Sequence, residues 1–187
     1  MTKRTRSELL DLVYRFYPRG VRNFDRMYVP PGEPFYEDTE EHRRLVEAAN
    51  RGRAEYPTWN AMLTRLYARH RVRDESLSLF AGWTEPAYSA RLYRPKDLEP
   101  VPGRKASLSF HVSLLGPYYG IHDRGEADEK PAVIAEEIEK TYPGYQTIPP
   151  ELGNEVVPDV AVGVVGFGTA TIYICLFSDV WTWVEPA

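Results

Sequence analysis

Apolar residues recur at helical spacing in the first third of the chain and at strand spacing after Ser76. Thr5 stands three residues before Glu8, just ahead of an apolar run, the arrangement of a capping box. Leu9, Val13 and Phe16 then follow at helical intervals, which predicts a helix to about Tyr17, ended by Pro18 and Gly20. The prolines of 28–36 exclude both a helix and an interior strand and predict a loop. Thr39 caps a second helix, with Glu40 and Glu41 in the turn where the helix dipole favours negative charge. Asn50–Gly52 is the expected stop. Pro57 suits the first turn of a third helix, whose face is the stripe Trp59, Met62, Leu63, Leu66 and Tyr67. Arg65, Arg69, Arg71 and Arg73 form a basic rim at its end, read as a solvated face that complements the helix C-terminus.

Segments 77–80 and 88–94 read as strands. Residues 106–115 alternate: Leu108, Phe110, Val112 and Leu114 on one face, Ser107, Ser109, His111 and Ser113 on the other. That pattern predicts a half-buried strand of an antiparallel sheet, its apolar face under the helix of Trp59, Met62, Leu63 and Leu66. The proline-rich stretch 95–104 is a surface loop. Pro131 opens another helix, with Val133, Ile134 and Ile138 inward and Glu136, Glu137 and Glu139 outward, stopped by Pro143-Gly144. Residues 145–158 are a turn-rich connection. Val160–Val165, Ala170–Phe177 and Val180–Val184 read as closing strands, 171–177 as one buried on both faces. Helices followed by strands predict an α+β fold, with N-terminal helices packed on one face of a mainly antiparallel sheet and one further helix between strands. A single domain over 1–187 is expected, helical over about 5–73 and sheet-rich over about 76–186. The chain shows no internal repeat and no low-complexity tract.

Composition narrows the chemistry. The one cysteine, Cys175, excludes an intramolecular disulfide and a four-cysteine zinc site. It lies in an apolar run and reads as a buried, inert thiol. No HxxxH or HExxH spacing is present, and no Gly-x-Ser-x-Gly elbow. Gly166-Phe167-Gly168 falls short of a dinucleotide fingerprint, since Thr171 stands where the third glycine belongs, so a strand turn is expected there. No metal and no cofactor is therefore expected. The first twenty residues have no apolar stretch long enough for a secretory signal, and no run approaches the ~18 apolar residues of a membrane span. A soluble, cytoplasmic protein without membrane contact is expected.

Charge is unevenly spread. Residues 1–73 carry fifteen Lys/Arg and ten Asp/Glu; residues 74–187 carry eight and seventeen, and the last 65 alone three and twelve. An acidic half repels phosphate, which disfavours direct nucleic-acid binding and favours a basic partner. The expected partner surface combines carboxylates with aromatic anchors. Its members are Tyr118, Tyr119, His122, Asp123, Glu126, Asp128 and Glu129 of one hairpin end and its loop, with Trp83, Trp181 and Trp183. Carboxylates steer association, and rings supply desolvated contact area.

His111 and His122 suggest a different chemistry. A two-residue Gly116-Pro117 turn would set His111 opposite His122 and Ser113 opposite Gly120. The triplet His111-Val112-Ser113 resembles half of the signature of two-histidine phosphoesterases, in which two H-x-[ST] strands supply a general base and a general acid. The second half is missing, because Asp123-Arg124 follow His122. The alternative function is thus a small phosphoesterase-like hydrolase using His111 and His122. The main expectation is a protein without catalytic residues. Segments 108–122 (LSFHVSLLGPYYGIH), 142–159 (YPGYQTIPPELGNEVVPD) and 178–186 (SDVWTWVEP) resemble the small acidic α+β immunity proteins of bacterial polymorphic toxin systems. That resemblance implies a protein that binds and inhibits a cognate toxin, often a nuclease, by covering its active site or substrate surface.

Overall fold

The computed structural model describes residues 5–21, 31–81, 84–93, 108–123, 131–163 and 165–177. Helix α1 (Arg6–Tyr14) starts on the expected capping box, with the Thr5 side chain accepting from the Glu8 amide and the Glu8 carboxylate accepting from the Thr5 amide. Helix α2 (Glu40–Tyr67) is capped by Thr39, whose hydroxyl accepts from the His42 amide at 3.2 Å. Next come β1 (Arg71–Asp74), β2 (Ala87–Tyr93), β3 (Leu108–Ser113) and β4 (Tyr118–Asp123). Helix α3 (Pro131–Thr141), β5 (Gln146–Thr147), α4 (Pro150–Gly153) and α5 (Ile172–Phe177) complete the order. The sheet runs β1-β2-β3-β4-β5, antiparallel except for the parallel pair β4 and β5. The fold is α+β, with N-terminal helices ahead of the sheet.

Trp59 determines how α2 meets the sheet. Its ring stacks on Tyr88 at 5.1 Å and lies 5.8 Å from Phe110, while its Nε1 donates to Asp74 Oδ1 at 3.2 Å. Met62, Leu63 and Leu66 join Leu108, Phe110 and Val112 in one core, with Leu114 partly buried against it. Ile134 and Ile138 of α3 close the same core, whereas Val133, expected inward, is exposed. A second core lies on the other face of the sheet. There α1 packs against α5, and Leu9, Val13, Ala87 and Tyr118 meet Ile172, Leu176 and Phe177.

Several expected boundaries differ. Helix α2 runs unbroken through Asn50–Gly52 and contains Pro57 in its interior, so one helix replaces two. Gly52 serves close approach rather than termination: a Cβ there would meet Leu114 Cδ1 at 2.6 Å, and its carbonyl accepts the Tyr88 hydroxyl. The basic rim is divided, with Arg71 and Arg73 on β1. Ser76–Ala81 is a 3₁₀ turn, not a strand, opened by Asp74 Oδ1 accepting from the Ser76 amide at 2.9 Å. The expected strand over Ala170–Phe177 is helix α5. Thr171 starts it, its Oγ1 accepting from Ile174 N at 3.3 Å and its carbonyl from Cys175 N at 3.0 Å. A short helix that is apolar on nearly every side is stable because it is buried on nearly every side, and in sequence such a run looks like a buried strand. Val160–Val165 contributes one bridge, Val162 to Val165, and no longer strand among its described residues. The strand expected over Val180–Val184 lies outside the described residues.

Candidate functional site

The β3–β4 hairpin builds the site. Its connection is four residues, Leu114–Pro117, because Leu115 is buried in the second core and the Leu114 amide is held by Pro86 O at 2.8 Å. Pairing is therefore His111 with Gly120 and Ser109 with His122, two residues away from the expected register. A shift of two preserves the side-chain face, since strand side chains alternate with period two. His111 and His122 stay on one face, diagonal to each other.

Both line a cavity of about 540 Å³ between the sheet and the C-terminal segment, together with Asn154, Thr171, Tyr173 and Phe177. Gly120 keeps its wall thin: a Cβ there would lie 3.2 Å from the Phe177 ring. His111 is 3% exposed, its Nδ1 is 2.8 Å from Ser89 Oγ, and its ring centre is 6.0 Å from that of Phe177. Burial, reinforced by the nearby charges of Arg91 and His122, pushes its pKa down to about 3. At neutral pH His111 is an uncharged imidazole. The half-buried strand expected here is covered on both faces, and Ser109, His111 and Ser113 are all buried.

Other expected site residues separate. Tyr118 and Tyr119 are each 2% exposed and are not surface anchors. Strand alternation sends Tyr118 into the second core and Tyr119 into the first, where its hydroxyl donates to Glu139 Oε1 at 2.6 Å. His122 is half-buried at the cavity. Asp123 ends β4. Trp83, Glu126, Asp128, Glu129, Trp181 and Trp183 lie outside the described residues. Cys175 is buried, and burial pushes its thiol pKa up. Among the described residues no group of three or more His, Cys, Asp or Glu could hold a metal ion, and no helix is long and apolar enough to cross a membrane.

Part of the charge asymmetry is internal. Arg6 pairs with Glu155, Arg19 with Asp159 at 3.6 Å and Arg65 with Glu137 at 2.5 Å, joining the basic half to the acidic one. Glu136 and Glu151 are exposed and form no ion pair among the described residues. Arg91, not singled out from sequence, and Arg73, expected in a solvated rim at the helix end, come to the histidine face by strand pairing. Their alternation with Val72 and Leu92 was the available signal.

The cavity wall rests on a close contact between α4 and α5. A Cβ on Gly153 would lie 2.3 Å from Tyr173 Cε2, and the Tyr173 hydroxyl donates to Ile148 O at 2.7 Å. Gly153→Ala is expected to displace Tyr173, break that bond and destabilise the protein by about 1–3 kcal/mol. Urea unfolding monitored by circular dichroism checks the value.

Comparison of the chain with protein-family models, with characterised proteins and with solved structures finds no match.

Proposed function

We propose that the protein is an immunity protein that binds and neutralises a cognate bacterial toxin presenting a basic surface. The observation that carries this reading is the excess of twelve Asp/Glu over three Lys/Arg in the last 65 residues, only part of which is met by arginines of the first half. The neutral, deeply buried His111 supports it too, because an imidazole with pKa near 3 cannot donate a proton as a general acid at neutral pH. The test is a toxin encoded beside this protein. Co-expression should restore growth. Replacing Asp123, Glu126, Asp128 and Glu129 by lysine should slow association by about tenfold and flatten its salt dependence, with the fold unchanged by circular dichroism. An unchanged association rate and salt slope in a folded variant rejects the acidic surface.

The second reading is a phosphoesterase-like hydrolase. It is favoured by one observation, that His111 and His122 line the same cavity. Turnover of a 2′,3′-cyclic phosphate that disappears in His111→Asn decides for it; absence of turnover in the native protein decides against it.

A further inference from the structure

We propose that two copies of the chain pair through the outer edge of β1, forming a closed two-fold dimer whose sheet continues from one copy into the other with Arg73 at its centre. β1 is the outermost strand of the five-stranded sheet, and no described strand lies beyond it. Its bonding pattern determines which groups face outward. The Glu75 amide donates to Ser89 O at 2.8 Å, in the same register that pairs Arg73 with Arg91 and Arg71 with Tyr93. Bonding residues alternate along an antiparallel pair, so Arg71 and Arg73 bond inward to β2, while Val72 and Asp74 direct their N–H and C=O groups to the open side. An edge of that kind is a template for a further strand.

Register selects a second copy as that strand. Facing residues of an antiparallel pair share a face, so a two-fold axis through the sheet pairs only β1 residues of like parity. An axis at Val72 would set Arg71 against Arg73 of the second copy, which like charge opposes. An axis at Arg73 sets Val72 against Asp74, so that their outward groups meet, and sets Arg71 against Glu75, opposite charges across the strand pair. Arg71 is exposed and forms no ion pair among the described residues. Glu75 lies 3.1 Å from Arg73 Nε and 3.9 Å from Arg91 Nε, in both cases through Oε1, and its second oxygen remains for Arg71 of the second copy. The two Arg73 side chains that face each other at the axis each keep their own Glu75 as counter-charge.

The opposite face of the edge supplies apolar contact. Leu63, Tyr67 and Val72 line an open groove of about 440 Å³ between α2 and β1, bordered by Asp74. Tyr67 is 66% exposed, the most exposed of the large hydrophobic residues described. A second strand added to β1 lies along this groove and covers the Tyr67 ring. The edge is separate from the acidic end of the β3–β4 hairpin, and the dimer does not depend on the toxin-binding reading.

Sedimentation equilibrium of the full-length protein at rising concentration tests it. A monomer–dimer equilibrium without larger species is expected, with amide exchange at Val72 and Asp74 slowed as the dimer forms. Arg71→Glu and Glu75→Arg should each weaken dimerisation about tenfold or more, and an equimolar mixture of the two should recover it, because the mixed pair again sets opposite charges together. Arg51→Glu, which replaces an exposed cation elsewhere on α2, should change nothing. Should Glu75→Arg not fold, Arg71→Glu and Tyr67→Ser, both at exposed positions, decide the matter, each weakening the dimer with the circular dichroism unchanged. A monomer at every concentration, or a dimer as tight in folded Arg71→Glu or Tyr67→Ser as in the native protein, overturns the interface. Equal loss in Arg51→Glu overturns it in favour of diffuse charge attraction. Two folded charge variants that do not dimerise when mixed overturn the register, and association beyond the dimer overturns the two-fold closure.

Discussion

Lowering the pH from 7 to 3 should remove on the order of 4 kcal/mol of stability through His111 alone. The folded-state pKa is about 3, against 6.5 for an unperturbed histidine. The native state thus holds His111 neutral over a range in which the unfolded chain binds a proton. The stabilisation is fully present above about pH 6.5 and is lost as the pH falls towards 3, at about 1.4 kcal/mol per pH unit. Carboxylates add their own dependence at lower pH, so the difference between two proteins isolates the histidine. His111→Asn keeps a polar group near the position of Nδ1, for Ser89 Oγ, and removes the titration. Urea unfolding at pH 7, 6, 5 and 4.5 should show native stability falling by about 2–3 kcal/mol relative to the variant. Parallel stability curves for the two proteins would show that His111 is protonated in the fold.

Trp59→Ala should cost about 3–5 kcal/mol, a large share of the ~5–15 kcal/mol that stabilises an ordinary domain. The indole is fully buried at the junction of α2 with β2 and β3, stacked on Tyr88 and close to Phe110. Deleting it removes apolar contact from three elements at once, and the cavity cannot collapse without shifting α2. Trp59→Phe separates packing from polarity. It retains most of the ring area and removes only the bond from Nε1 to Asp74, whose carboxylate still accepts from Tyr56 and from the Ser76 amide. A cost of about 1 kcal/mol is expected for that change. Thermal unfolding of the three proteins gives both values. Equal losses in the Phe and Ala variants would mean that the hydrogen bond, not the packing, holds the helix to the sheet.

These two residues also show how legible the chain is. Trp59 sits in the strongest apolar stripe of the sequence, and Leu108, Phe110 and Val112 alternate cleanly, so their meeting followed from local periodicity. His111 belongs to the polar set of the same strand, which predicted an exposed imidazole. Helix α5 covers that set instead, and the residues of α5 lie more than sixty positions further along the chain. Seven consecutive residues, Thr171–Phe177, do not distinguish a helix buried on nearly all sides from a strand buried on both faces. Thr171 before the run was the one local hint of a helix start.

The same limit applies to the candidate site. Both histidines were found from sequence and placed on one face, because a register error of two residues leaves the face unchanged. Their diagonal offset was not found. It depends on Leu115, which is drawn into the second core and lengthens the hairpin connection. The adjacent tyrosines Tyr118 and Tyr119 looked like an exposed aromatic pair, and a sheet covered on both faces buries each in a different core.

The sequence by itself determined the capped starts of α1 and α2, the sheet-facing stripe of α2, the strand character of β3 and the α+β class. Each of these depends on groups within a few residues of one another: a hydroxyl and an amide, or side chains repeating with the period of the backbone. The tertiary structure alone decided that α2 is continuous, that 171–177 is helical, that His111 is buried and uncharged, and that Arg91 stands in line with His122. Those outcomes depend on which surfaces are left to cover a strand and on the register between strands, and both are set by contacts between residues distant in the chain.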